Sequence, residues 1–298
     1  MAKKRKRKKN KKSSKKIYIV AVLIIILFSC FFINFNKNDG KLISGKFLDN
    51  IPLTLPPTIT LTPSPTLIPT ATPVPLIGYC LNVPVIMYHH IQPDAEAVAK
   101  EQKALNVDTS AFDNQMGYLV SSGYSPISAQ QLIDALVNHT GLPPKSIVIT
   151  LDDGYSDNYT YAFPILKKYN IVANMGIITG LVGGANYVTW DQIKEMSNSG
   201  LIYPVNHTWS HYSITQSSDK ARYEVATAKQ QLQDYTGRVV DTFIYPYGAI
   251  NSSAIAVLEQ EGIRGAFSEI SGHWQCDSFI MALHRTRIGN SSLSNYGL

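Results

Sequence analysis

Cysteine is scarce in this chain of 298 residues, and the three present are far apart: Cys30, Cys80 and Cys276. No two have the spacing of a metal knuckle or of a CxxC redox couple, which excludes zinc-ribbon and thioredoxin-like chemistry. Cys30 falls in an apolar run. Cys80 and Cys276 lie near the two ends of the body of the chain. In an extracellular body they pair and tie the first strand to the last; otherwise they are two free buried thiols. Basic charge is also scarce outside one short segment. The net charge of +6 belongs to residues 1–16, which hold eleven Lys and Arg and no acid, and the rest of the chain has 16 basic against 21 acidic residues. A basic surface for nucleic acid is thereby excluded. No internal repeat is visible.

What is present divides the chain into four parts. Residues 1–16 are polybasic. Residues 17–34 (IYIVAVLIIILFSCFFIN) are nearly all apolar and just long enough to span a bilayer as a helix. Positive charge ahead of such a run keeps the N-terminus in the cytoplasm and sends the remainder outward. A cleaved signal peptide is the rival. No small-x-small site follows the run, and Leu27-Phe28-Ser29-Cys30 resembles a lipoprotein signal only faintly. The expectation is an uncleaved, single-pass anchor in the cell membrane, with a secreted or lipid-linked product as the alternative. Residues 35–78 read as an extracellular linker. Its Pro/Thr-rich part, residues 51–75, cannot be a helix or a central strand, because proline fixes φ and lacks a donor. It reads as an extended stalk.

Residues 79–298 alternate between strand and helix signals. Apolar, β-branched runs predict strands over 83–88, 146–151, 171–178, 201–205, 241–245 and 264–268. Apolar spacing and caps predict helices over 111–123, 128–137 with Ser128 as cap, 156–169 interrupted by Pro164, 189–198 capped by Thr189, 219–235 and 252–261. Such alternation indicates an α/β fold with a parallel sheet. Polar motifs recur after the strand ends, which favours a barrel.

The strand over 146–151 runs into Asp152-Asp153-Gly154. At a strand-to-loop turn both carboxylates reach one cleft, one able to bind a metal and the other to act as a base. The plainer reading makes Asp153 a helix cap. His207 and His211 are four apart, as on one side of a helical turn, and either share a metal or are two unconnected loop residues. With Asp153 they make a two-His, one-carboxylate set that zinc accepts and non-haem iron accepts too. Tyr245-Pro246-Tyr247-Gly248 alone is a plain turn. His89 and His90 end the first strand.

Together, ITLDDGY at 149–155, HTWSH at 207–211, FIYPYG at 243–248, VPVIMYHHI at 83–91 and AFPILKKYNI at 162–171 resemble the polysaccharide deacetylases of carbohydrate esterase family 4. The resemblance is to the branch that includes biofilm-polysaccharide deacetylases, and it covers residues 83–290. It implies a distorted (β/α)7 barrel behind the transmembrane helix and the stalk. It also implies removal of N-acetyl groups from a cell-surface or extracellular glycan, either peptidoglycan or poly-N-acetylglucosamine. By the resemblance Asp152 is the general base, Asp153, His207 and His211 hold a divalent metal, and Thr208 braces their loop. Zinc is the first choice of metal, with cobalt, nickel or iron as alternatives. The Tyr247 N–H would hold the oxyanion. His89 would be the acid, with His90 its rival and His284 a distant third. Tyr155, Trp209, Tyr247 and Arg285 are the candidate glycan contacts. One departure stands out: many relatives carry Arg two residues before the motif proline, where this chain has Ile244. Arg285 or Arg287 is expected to replace that charge beside Asp152. No Asp-Trp pair that would tune the acid histidine is evident. The rival readings are an O-acetyl esterase on xylan or another glycan, and a non-catalytic glycan-binding surface protein.

Overall fold

The structure, a computed structural model, describes residues 77–298. The polybasic segment, the apolar run over 17–34 and the Pro/Thr-rich stretch lie outside the described residues. Among the described residues no helix is long and apolar enough to cross a membrane.

The described strands, in chain order, are β1 (Cys80–Asn82), β2 (Val85–Tyr88), β3 (His90–Ile91), β4 (Asn106–Val107), β5 (Ser125–Ile127), β6 (Ser146–Leu151), β7 (Ala173–Ile177), β8 (Ile202–Asn206), β9 (Thr242–Ile244), β10 (Gly265–Phe267), β11 (Trp274–Cys276) and β12 (Thr286–Arg287). The main sheet runs β10-β9-β8-β7-β6-β2-β12, and β5 adds to the N-terminal half of β6. Every pairing in it is parallel. Parallel strands covered on both faces read as continuous apolar runs, and all six side chains of β6 are buried. The sheet curls. Leu283, just ahead of β12, bridges in parallel to Phe267 at the end of β10, so the far edge returns towards β2.

The expected helices form, and two start where their caps predict. Ser128 and Thr189 each close a reciprocal capping box, with Gln131 and Gln192. The segment with Pro164 differs from expectation. A π-turn spans Asn158–Ala162 and an α-helix spans Phe163–Tyr169. Pro164 thus sits in the first helical turn, where its missing N–H costs nothing. Cys80 faces Cys276 in the antiparallel β1–β11 ladder and the two form a disulfide. Short pieces that the sequence reading did not anticipate are the helix Asp94–Ala99, the strand β5 and the β1–β11 and β3–β4 pairs. His89, Asp152, Asp153, His207, His211 and Tyr247 all follow the C-terminal ends of β2, β6, β8 and β9, the end at which such sheets place their chemistry.

Candidate active site

Strand β6 stops at Leu151, and the Asp152 N–H still donates to the Tyr88 carbonyl at 2.8 Å. The next two residues, Asp153 and Gly154, both take φ of 75°, so the adjacent carboxylates leave the strand in different directions. Asp153 caps no helix. Its Oδ1 lies 3.2 Å from His207 Nε2 and 3.4 Å from His211 Nε2. Nine non-glycine residues among those described have positive φ, and four of them, Asp153, Thr208, His211 and Tyr247, belong to this site. Each such conformation costs on the order of 1–3 kcal/mol and persists only where its surroundings fix it.

His207 and His211 do not share a helical turn. The chain leaves β8 at Asn206 and passes through Thr208 at φ 67° and His211 at φ 61°. Two left-handed residues bring the imidazoles together here in place of a helical turn. The Thr208 hydroxyl does not brace this loop, since it is buried without a partner; the backbone does, with the Thr208 N–H donating to Asn206 Oδ1 at 2.9 Å.

The donor atoms of Asp153, His207 and His211 all lie within 4.8 Å of one another, and no other such trio converges among the described residues. His207 Nδ1 is 2.8 Å from the Ile244 carbonyl, which only accepts, so Nδ1 carries the proton. Its Nε2 lone pair then points at a carboxylate oxygen. Two lone pairs at 3.2 Å need a proton or a cation between them, and the set suits a divalent metal, with Ile244 fixing the tautomer. Electrostatics agree. Burial would raise the Asp153 pKa, but the His207 hydrogen bond and the charges of His207, His89 and His211 hold it well below the usual carboxylate range. Burial lowers His207, and the bond to Asp153 with its charge more than reverses this, so its pKa is raised. Burial and the His207 charge push His211 down to about 4, leaving it neutral and able to ligate at neutral pH.

Asp152 faces a different partner. Arg285 Nη1 donates to both its oxygens, at 2.9 and 2.7 Å, and to Thr150 Oγ1 at 3.1 Å, while Nε donates to the Ser268 carbonyl at 2.8 Å. Arg285 is 1% exposed. The expectation that it contacts glycan is therefore corrected: the guanidinium has no open face and serves Asp152 instead. It supplies from β12's flank the charge that Ile244, buried in β9, does not.

His89 is half-buried and within the field of Asp152 and Asp153; burial lowers its pKa, and the two carboxylates act against that without reversing it. His90 is fully engaged elsewhere. Its Nδ1 is 2.6 Å from Asp157 Oδ2, Asp157 Oδ1 accepts the Ile91 N–H, and the ring stacks on Tyr155 at 3.6 Å. Sequence reading missed Asp157, which sits four residues beyond Asp153 and was legible only as a helix-start residue. His284 stacks on Phe279 and joins no part of the cluster. Tyr247 is 67% exposed and tilts over His211 at 4.5 Å. As second residue of a 3₁₀ turn, its N–H has no partner within that turn. Tyr155 lies between His90 and Tyr187, and Trp209 is half-buried against Gly180 and Tyr223.

Residues 139–266 match the family model described as polysaccharide deacetylase. The chain contains a polysaccharide deacetylase domain. Over 208 residues the chain is 28% identical to the putative polysaccharide deacetylase YxkH of Bacillus subtilis (strain 168), covering 70% of this chain and 71% of that one. It is 30% identical over 230 residues to the poly-beta-1,6-N-acetyl-D-glucosamine N-deacetylase of Escherichia coli O157:H7, covering 63% of this chain. The match takes in only 34% of that relative's length. Among solved structures, the Streptococcus pyogenes deacetylase PplD in complex with acetate aligns with a TM-score of 0.67 and 28% identity, over 72% of this chain and 96% of that one. The curled parallel sheet is thus a fold this chain shares with that deacetylase.

Proposed function

We propose that this domain is a metal-dependent hydrolase that removes N-acetyl groups from N-acetylglucosamine units of a cell-surface or extracellular polysaccharide, releasing acetate. The polymer named for the Escherichia coli relative, a β-1,6-linked poly-N-acetylglucosamine, is the substrate we favour; peptidoglycan is the other polymer of the same chemistry. The single observation that carries the reading is Asp152, a carboxylate clamped by Arg285 beside three converging metal-type donors. A pure glycan binder has no need of it. The distorted (β/α)7 barrel goes with this reading, counting β2, β6, β7, β8, β9, β10 and β12 as its strands.

A divalent cation on Asp153, His207 and His211, zinc in the first instance, would polarise the acetamide carbonyl and lower the pKa of water. Asp152 accepts the proton of the attacking water, its carboxylate oriented by Arg285. The Tyr247 N–H donates to the oxyanion as it forms; removing one such donor costs roughly 3 kcal/mol in other enzymes. His89 gives a proton to the amine nitrogen as the C–N bond breaks, so that acetate and a free glucosamine unit leave. Tyr247, with Tyr155 and Trp209, provides aromatic surface for the sugar rings. The apolar run over 17–34 and the stalk would hold the domain outside the cell membrane.

Acetate release from β-1,6-linked N-acetylglucosamine oligomers, β-1,4-linked oligomers and O-acetylated xylan tests the reading. Faster release from the N-acetylated oligomers is expected. Release from xylan alone would reassign the domain as an O-acetyl esterase, and binding without any release would make it a glycan-binding protein.

A further inference from the structure

The loop that carries His207 and His211 is held from two sides. On one side the carbonyls of Thr208 and Trp209 accept the N–H groups of Thr179 and Gly180, at 3.3 and 2.7 Å. Gly180 permits this approach, since a Cβ there would sit 2.5 Å from the Trp209 oxygen. On the other side stands the helix Ser218–Thr236, and two adjacent residues of it meet the two ends of the loop. Asn206, fully buried, spends Oδ1 on the Thr208 N–H and Nδ2 on the Val225 carbonyl, both at 2.9 Å. Glu224 accepts from the Ser210 N–H at 2.7 Å and from the Ser210 hydroxyl at 2.6 Å.

Glu224 is the unusual member. It is 1% exposed, and no Lys, Arg or His among the described residues lies within ion-pair distance of it. A carboxylate that deep ordinarily has a cationic partner. Here both oxygens are spent on one serine, and that serine stands directly before His211. Fixing the Ser210 amide and hydroxyl fixes the Trp209–Ser210 peptide plane and the serine side chain, one residue ahead of His211, whose left-handed backbone presents Nε2 to Asp153.

We propose that Glu224 is the positioning residue of the metal-site loop, acting through Ser210 to set where His211 presents its nitrogen. The proposal rests on the reading of Asp153, His207 and His211 as a metal site. It is tested on the full-length chain by competition for Zn(II) against a chromogenic chelator, with the visible spectrum of the Co(II) form as a second readout. Glu224→Ala is expected to weaken Zn(II) binding about 10- to 100-fold, the usual cost of losing an outer partner of a metal ligand, and to alter the Co(II) spectrum. Glu224→Gln recovers most of the loss, because its carbonyl accepts the Ser210 N–H and its amide donates to the Ser210 hydroxyl oxygen. Should Glu224→Ala fail to fold, Ser210→Ala, at the surface, removes only the hydroxyl bond and is expected to weaken binding in the same direction. Unchanged affinity and spectrum in Glu224→Ala, or in Ser210→Ala where it stands in, overturn the proposal. A wild-type chain that binds neither ion rejects the metal site itself and this proposal with it.

Discussion

Arg285→Met tests the buried Asp152–Arg285 pair. The substitution keeps an unbranched apolar stem inside the curled sheet and removes every guanidinium bond. Asp152 loses a donor to both its oxygens, and Thr150 Oγ1 and the Ser268 carbonyl each lose one as well. Both charged partners are almost wholly buried. Breaking such a pair from one side leaves an uncompensated charge and costs about 3–5 kcal/mol. At roughly 2–4 °C per kcal/mol for a domain of this size, the midpoint of thermal unfolding falls by on the order of 6–20 °C. Urea unfolding of the full-length chain at neutral pH measures the loss directly, with an unchanged slope showing that compactness is preserved. Arg285→Lys does not rescue, because an ammonium cannot serve the Ser268 carbonyl and Asp152 as a planar fork does. Arg285→Met combined with Asp152→Asn is less destabilised than the sum of the two single variants, since the orphaned charge is gone. A loss below about 1 kcal/mol in Arg285→Met, or strict additivity in the double variant, would refute the pairing argument.

Two further outcomes follow from the same geometry. His211 titrates at about 4 in the folded chain and at about 6.5 unfolded; the unfolded state therefore binds its proton first, and the chelator-treated protein loses stability as pH falls from about 6.5 to about 4, by on the order of 3 kcal/mol in all. His211→Gln flattens that limb of a stability–pH curve, and an unchanged slope would show that His211 is not held neutral. Asp157→Ala strips the acceptor from His90 Nδ1 and the Ile91 N–H; urea unfolding should register a loss of about 2–4 kcal/mol, and KM should rise more than kcat falls as Tyr155 loses its stacked support.

Local chemistry was legible in the sequence and long-range pairing was not. The caps at Ser128 and Thr189 act within four residues of chain, and both were found from residue type; their reciprocal partners Gln131 and Gln192 came with the structure. The β6 run ending in two aspartates was equally plain, because six consecutive buried residues need no partner to be recognised. Strands of two or three residues, such as β3, β4 and β11, are defined by what they pair with and carry no periodicity of their own. The four-residue spacing of His207 and His211 suggested a helical turn, and nothing in the side chains announced that Thr208 and His211 would be left-handed. An arginine beside Asp152, Arg285 or Arg287, was expected only from the family resemblance and the missing charge at Ile244, and the complete burial of Arg285 depends on Thr150 and Ser268, distant in the chain. Glu224 gave no signal at all: on an exposed-looking, charged helix it reads as one more solvated acid until the fold turns it inward.

The most direct test is acetate release from an N-acetylglucosamine oligomer by the full-length chain, with and without a chelator, beside Asp152→Asn. Release that the chelator abolishes, that added Zn(II) restores, and that Asp152→Asn lacks while still binding the metal is the predicted result. Release that persists in the chelator or in Asp152→Asn would contradict the account of a metal site served by that base.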